Sequence, residues 1–156
     1  STQPWIDMRY AEILLNRAEA AIEMYIGGHS ISGVDLQKDA FDCINDIRDR
    51  AGAVLLNNTS EVNIEVVRKE RKKELAFENK TWWDLRRWRI ADTELNQRIF
   101  YVLHPYYVKE NGKYVFLRRL DERNSRYNFN VLWYYEAIPS SEINKNPNLL
   151  PNNPGY

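Results

Sequence analysis

Apolar positions recur at helical spacing from Trp5 to Ile26. Ala11, Leu14, Leu15, Ala18, Ala21, Ile22 and Tyr25 form a wide apolar face, and Glu12, Asn16, Glu19 and Glu23 form a narrow polar one. Ile13, Ala20 and Met24 widen the apolar cover, so this helix is expected to pack on two sides, with alanines at 11, 18 and 21 letting a neighbour come close. Gly27 to Gly33 reads as a flexible connection. A second helix is predicted from Asp35, a good N-cap, to Gly52, a good C-terminal stop. Leu36, Ala40, Cys43, Ile44, Ile47 and Ala51 make its stripe, and Arg48 and Arg50 suit the negative end of its dipole. Asn57 to Ser60 reads as a turn capping a third helix.

The stretch from Asn63 to Arg89 organises the rest. Ile64, Val67, Leu75 and Ala76 keep the helical period through a heavily charged run in which Glu70, Glu74 and Glu78 follow at i, i+4. Carboxylates stacked in this way repel by a few tenths of a kcal/mol, so basic side chains are expected between them. Arg71, Arg86 and Arg87 are the expected partners of Glu74 and Glu78, in a structural ion-pair network. Asn79 marks a bend, since Asn tolerates the left-handed conformation that ends a helix. Trp82, Trp83, Leu85 and Trp88 then predict a short helix with too much apolar area to leave wet.

Beyond Arg89 the period changes. Tyr106 to Glu110 and Lys113 to Leu117 flank Asn111-Gly112, a strong hairpin signal. A two-residue turn would set Glu110 opposite Lys113, Val108 opposite Val115 and Tyr107 opposite Phe116. Residues 121–130 are polar and read as loop, residues 131–138 as a strand stopped by Pro139. The Pro- and Asn-rich remainder reads as an extended tail with one turn at Ser141 to Asn144.

Composition narrows the function. The 156 residues carry 22 Lys and Arg against 22 Asp and Glu, a balance that argues against a nucleic-acid partner. One domain is the expectation at this length. Cys43 stands alone on an apolar stripe, so it reads as a buried inert thiol, and no disulfide forms within the chain. His29 and His104 lack a second ligand at metal spacing, and neither a metal nor a cofactor is expected. No apolar run approaches the ~20 residues that cross a bilayer. With no basic-then-apolar leader at Ser1, the chain reads as a mature domain or a fragment. Ten Tyr and five Trp make an aromatic surplus that either fills a core or stacks on flat ligands and sugar rings. Tyr107 and Tyr114 fall on one face of the hairpin, diagonal neighbours that would make a shallow stacking platform. The alternative is that this face packs on the Trp-rich helix. The glutamate row could supply an acid and a base for glycoside cleavage, but its regular spacing beside arginines favours a structural role.

Four segments together resemble the RagB/SusD family. They are RYAEILLNRAEA (9–20), INDIRDRAGA (44–53), RKERKKELAFENKTWWDLRRW (68–88) and IPSSEINKNPNLLPNNPGY (138–156). Departures from the family pattern are small. Asn79 stands for the usual Gly, Thr81 for an Arg, Glu136-Ala137 for a more apolar pair, and Pro151-Asn152 for Thr-Gln. The resemblance implies a mainly α fold with a tetratricopeptide-like helix pair, a small hairpin and an extended tail. It implies the C-terminal portion of a longer surface lipoprotein, whose lipid anchor would lie upstream. By the same resemblance, the protein captures oligosaccharides without cleaving them, on the outer face of the outer membrane. Its partner would be a TonB-dependent transporter of the SusC type. A glycan-degrading enzyme and a helical-repeat scaffold that binds only protein stand as rival expectations.

Overall fold

The first predicted helix begins later than its apolar period. Helix α1 spans Tyr10–Ile26, with Arg9 as N-cap. The computed structural model describes residues 6–122 and 126–156, so Trp5 lies outside the described residues, as do residues 123–125 of the expected loop. Contacts gather into two compact units, Ser1–Thr81 and Trp82–Tyr156.

In the first unit α1 packs on α2 (Leu36–Arg50) and on α3 (Ile64–Glu74). The start of α1 and the end of α2 line one cleft, so the two run antiparallel. Ala18 and Ala40 have no exposed surface, which brings the backbones close and lets Leu15, Ile22, Ile44 and Ile47 interlock with Val67 and Leu75. Each such side chain, fully buried, stabilises by roughly 1.5–3 kcal/mol. The cover is narrower than the sequence suggests, because Ile13 and Tyr25 stay exposed. Asp35 caps α2, accepting from the Lys38 N–H at 3.0 Å. Ahead of α3, Thr59–Glu61 form a 3-10 turn, and the cap of α3 itself is Asn63, not the Asn57 to Ser60 segment.

On the polar strip of α1, Glu12 and Glu19 are buried, while Asn16 and Glu23 stay exposed. Arg71 on α3 is 5% exposed and faces Glu12, itself 8% exposed, at 3.3 Å, and donates to Asn16 at 2.8 Å. Lys80 approaches the other Glu12 oxygen at 3.0 Å. The carboxylate row is neutralised by arginines from α1 and α2. Arg48 holds Glu70 at 2.7 Å, Arg9 and Arg50 converge on Glu74 at 2.5 and 2.6 Å, and Arg9 also grips Glu78 at 2.7 and 2.9 Å. Arg71, Arg86 and Arg87 were the expected partners of Glu74 and Glu78. The structure corrects this: Arg9 and Arg50 occupy those positions. The hydrogen bond from Arg9 holds the Glu78 carboxyl below the usual carboxylate range, and Glu78 in turn pushes the Arg9 pKa up.

Helix α3 stops at Glu74, ahead of the bend, with Leu75 as its C-cap, buried in the core at 1% exposure. Phe77 (φ 67°) and Asn79 (φ 58°) both sit in the left-handed region. A β-branched side chain is strained there and glycine is not. Asn79→Gly is therefore expected to be neutral or slightly stabilising in a thermal melt. Asn79→Val should cost about 1–3 kcal/mol, and an unchanged melting temperature for the valine variant would contradict the left-handed bend.

The second unit opens at Trp82, inside α4 (Thr81–Arg87), and continues with α5 (Ala91–Leu95); its core is Leu85, Trp88, Ala91 and Phe129. Arg89, in the left-handed region at φ 57°, closes α4. The Ile90 N–H reaches the Leu85 carbonyl and the Arg89 N–H reaches that of Arg86. The Arg89 guanidinium covers the rings of Tyr134 and Tyr135 at 4.8 and 4.5 Å, which offsets its backbone strain. The Trp-rich helix is only partly dry, since Trp83 remains 60% exposed with Arg86 5.7 Å from its ring.

Residues Val131–Tyr134 form a 3-10 turn rather than the expected strand. Asn130 caps it, and Trp133 and Tyr134 both meet the Phe129 ring edge-on, at 5.9 and 5.1 Å. Consecutive residues of a strand point to opposite faces and would not share one ring. The tail carries more structure than one turn, with α6 at Ser140–Lys145 and a 3-10 turn at Pro147–Leu149. Asn152 ties it back by pairing with both the N–H and the carbonyl of Ile138, at 2.8 and 3.3 Å. Among the described residues no helix is long and apolar enough to cross a membrane.

Candidate functional site

The hairpin is longer than its sequence signal, with β1 at Tyr101–Val108 and β2 at Lys113–Leu120. Its turn is not the expected two-residue one. A type I′ turn needs positive φ at both central residues, and of the Asn111-Gly112 pair only Gly112 has it, at 65°. The loop instead takes four residues. The Gly112 N–H closes onto the Val108 carbonyl at 3.0 Å, and the Asn111 side chain accepts from the Lys113 N–H. Val108 therefore faces Lys113, Tyr107 faces Tyr114 and Pro105 faces Phe116, a register two residues from the expected one.

A shift of two keeps every side chain on its face, so Tyr107 and Tyr114 still share one, now directly opposite instead of diagonal. Beyond the strands, the Asp121 N–H bonds to the Phe100 carbonyl. Hydrogen-bonded pairs alternate with non-bonded ones from that point, which makes Tyr107–Tyr114 and Pro105–Phe116 non-bonded pairs. Cross-strand side chains lie closest at such pairs, and Pro105, lacking an N–H, loses nothing there. The two tyrosine rings accordingly sit with centroids 5.1 Å apart, tilted by 54°.

This face is open. Tyr107 is 55% and Tyr114 63% exposed, and Phe116 and Leu103 on the same face are exposed too. Arg118, also on it, lies 3.9 Å over the Tyr101 ring. On the opposite face Val102, His104 and Val108 are half-buried, whereas Tyr106, Val115 and Leu117 are exposed. No hairpin residue belongs to either core cluster, and the Trp-rich helix packs on Phe129 and Tyr134 instead. Alternation along β2 carries the signal for Phe116 and Arg118, neither of which the sequence reading placed among the ligand-facing residues. The arrangement offers two tilted aromatic faces with phenol hydroxyls at their rims and a guanidinium further along. Such a surface suits the apolar face and hydroxyl edge of a sugar ring.

The other singled-out residues lie elsewhere. Arg71, Glu74 and Glu78 hold the first unit together. Arg86 donates to the Tyr134 carbonyl at 3.2 Å and approaches Glu136 at 3.4 Å, and Arg87 pairs with Asp84 at 3.1 Å. Cys43 is buried, and burial pushes its thiol up to about 11, away from nucleophilic use. No group of three or more His, Cys, Asp or Glu suited to a metal occurs among the described residues.

Comparison with known proteins matches residues 1–156 to the SusD family. SusD-like protein P2 of Formosa agariphila is 32% identical over the whole chain, which covers 26% of that protein. A solved SusD-like protein of Bacteroides fragilis superposes with TM-score 0.63 at 29% identity, over 97% of this chain and 26% of its own. A second solved chain, BT4246, gives TM-score 0.67 at 25% identity, over 100% of this chain and 24% of its own. The chain thus spans about a quarter of the length of these relatives. With a family match along its entire length and the fold of two solved relatives, the chain belongs to the SusD family.

Proposed function

We propose that the chain is part of a non-enzymatic surface protein that captures oligosaccharides for import through a SusC-type TonB-dependent transporter. The place of action is the extracellular face of the outer membrane, to which an anchor outside this sequence holds the protein. The observation that carries this reading is the exposed Tyr107–Tyr114 pair on a hairpin that neither core absorbs. Sugar faces stack on the tilted rings, and hydroxyls take hydrogen bonds at the rim. Membership of a family with this role supports it.

Cleavage is disfavoured by the carboxylate row. A glycosidase acid needs a carboxyl held protonated by a raised pKa. Glu70, Glu74 and Glu78 are each bonded to arginine, and the Glu78 carboxyl is lowered, not raised.

Native gels cast with a panel of soluble polysaccharides test the reading, with reducing ends assayed in parallel. Retarded migration on at least one polysaccharide, with no new reducing ends, is the expected result. New reducing ends would establish the enzyme instead, and no retardation on any polysaccharide would leave a protein-binding scaffold.

A further inference from the structure

Every arginine from Arg9 to Arg98 meets a carboxylate or, for Arg89, the Tyr135 hydroxyl. On β2, Arg118 and Arg119 meet neither among the described residues, and both are exposed. The surplus of positive charge is local. Residues 101–120 carry four basic side chains against one acidic, in a chain balanced at 22 to 22.

Arg118 is the one that shares a face with the tyrosine pair. The register sets Tyr114, Phe116 and Arg118 in file along β2, with Tyr107, Pro105 and Leu103 across from them. No acidic residue of either strand stands on that face. The Arg118 guanidinium lies 3.9 Å from the Tyr101 ring centroid, and its N–H groups meet no acceptor among the described residues. Stacking on a ring orders the planar group before any ligand arrives. A guanidinium held in this way, beside open aromatic rings and without a carboxylate of its own, presents a fork that fits a planar or tetrahedral oxyanion.

We infer that the aromatic face of the hairpin takes an acidic glycan, with Arg118 pairing an acid group of one sugar while Tyr107 and Tyr114 stack another. Tyr114 and Arg118 stand four residues apart on one strand, about 13 Å. One sugar ring does not bridge that span, so the ligand is an oligosaccharide of several units. The inference rests on the glycan reading of this face and narrows it to a charge class. A single-stranded nucleic acid also joins anionic groups to flat rings, but the balanced charge of the chain disfavours it.

The test titrates the full chain calorimetrically with two sets of polysaccharides. Polygalacturonate and alginate carry carboxylates and carrageenan carries sulfates, whereas dextran and fully methyl-esterified polygalacturonate carry neither. Saturable binding of at least one acidic polymer, tighter than to either neutral one, is expected, and the polymer bound tells which acid group Arg118 takes. Arg118→Ala should weaken that binding about tenfold. Arg118→Lys should recover only part of the loss, since an ammonium lacks the fork. Arg119→Ala, on the opposite face, should leave affinity within about twofold, and all three variants should melt with the parent. Added salt should weaken the acidic polymer, because the pairing is exposed.

Binding confined to neutral polymers overturns the acidic class and leaves the stacking reading in place. An unchanged affinity in Arg118→Ala, or equal losses in Arg118→Ala and Arg119→Ala, also overturns it, because the attraction is then diffuse. A single-stranded oligonucleotide bound more tightly than every polysaccharide overturns it in favour of a nucleic-acid surface. No binding to any polysaccharide removes the glycan reading itself, and the acidic class with it.

Discussion

Arg71→Met is expected to cost the first unit about 3–5 kcal/mol of stability, read as a lowered urea midpoint at neutral pH. Methionine keeps the apolar stem and removes only the guanidinium. What remains is a Glu12 carboxylate 8% exposed, with the oxygen that faced Arg71 stripped of that cation, and an Asn16 carbonyl without its donor. Lys80 still reaches the other Glu12 oxygen, so the carboxylate is not abandoned entirely. Adding Glu12→Gln to Arg71→Met should recover part of the loss, because the uncompensated charge is then gone. Arg50→Ala is the control: its side chain is 59% exposed, and exposed pairs contribute ~0–1 kcal/mol. Equal losses in the two single variants would show that burial of the Arg71 pair does not matter.

Phe129→Ala is expected to be comparably severe in the second unit. Its ring is 1% exposed and meets three others edge-on, those of Trp82 at 5.8 Å, Trp133 at 5.9 Å and Tyr134 at 5.1 Å. Truncating a buried Phe costs about 3–5 kcal/mol, and among the described residues the other buried members of this core are Leu85, Trp88 and Ala91. Four of the five tryptophans lie in this unit. Red-shifted tryptophan emission and a lost near-ultraviolet dichroism signal should therefore appear while the helical signal of α1 to α3 persists. A variant with parental tryptophan emission and an unchanged melt would place the core of this unit elsewhere.

Helices α1 and α2 were legible because their apolar residues keep a helical period over four turns or more, and a period survives without knowledge of partners. The partners themselves were not legible. Arg9 lies 65 positions before Glu74 and 69 before Glu78. Reading the row of glutamates for nearby arginines favoured Arg71, Arg86 and Arg87, which have other work. The strip of Glu12 and Asn16 read only as a narrow polar face, because polarity alone does not say whether a cation waits opposite.

The strand expected at 131–138 failed for a related reason. Aromatic residues in a row suit a strand by propensity, but Asn130 caps a turn that lets Trp133 and Tyr134 share Phe129. The pairing of Tyr107 with Tyr114 was half legible. Alternation fixed the face, whereas the register depended on whether Asn111 takes positive φ, a choice that local sequence leaves open. The openness of that face follows from what does not pack on it, which no pattern along the chain records.

The most direct measurement is calorimetric titration of a polysaccharide that retards the chain, compared between the parent and Tyr107→Ala/Tyr114→Ala. Both rings are more than half exposed, so the double variant should melt within a few degrees of the parent. Each stacked aromatic ring that is lost should weaken binding by about 1–3 kcal/mol, by analogy with base–aromatic stacking. The account predicts affinity lowered at least about tenfold at parental stability. Parental affinity in the double variant would contradict it, placing any glycan contact away from the hairpin and leaving the tyrosine pair without a role in capture.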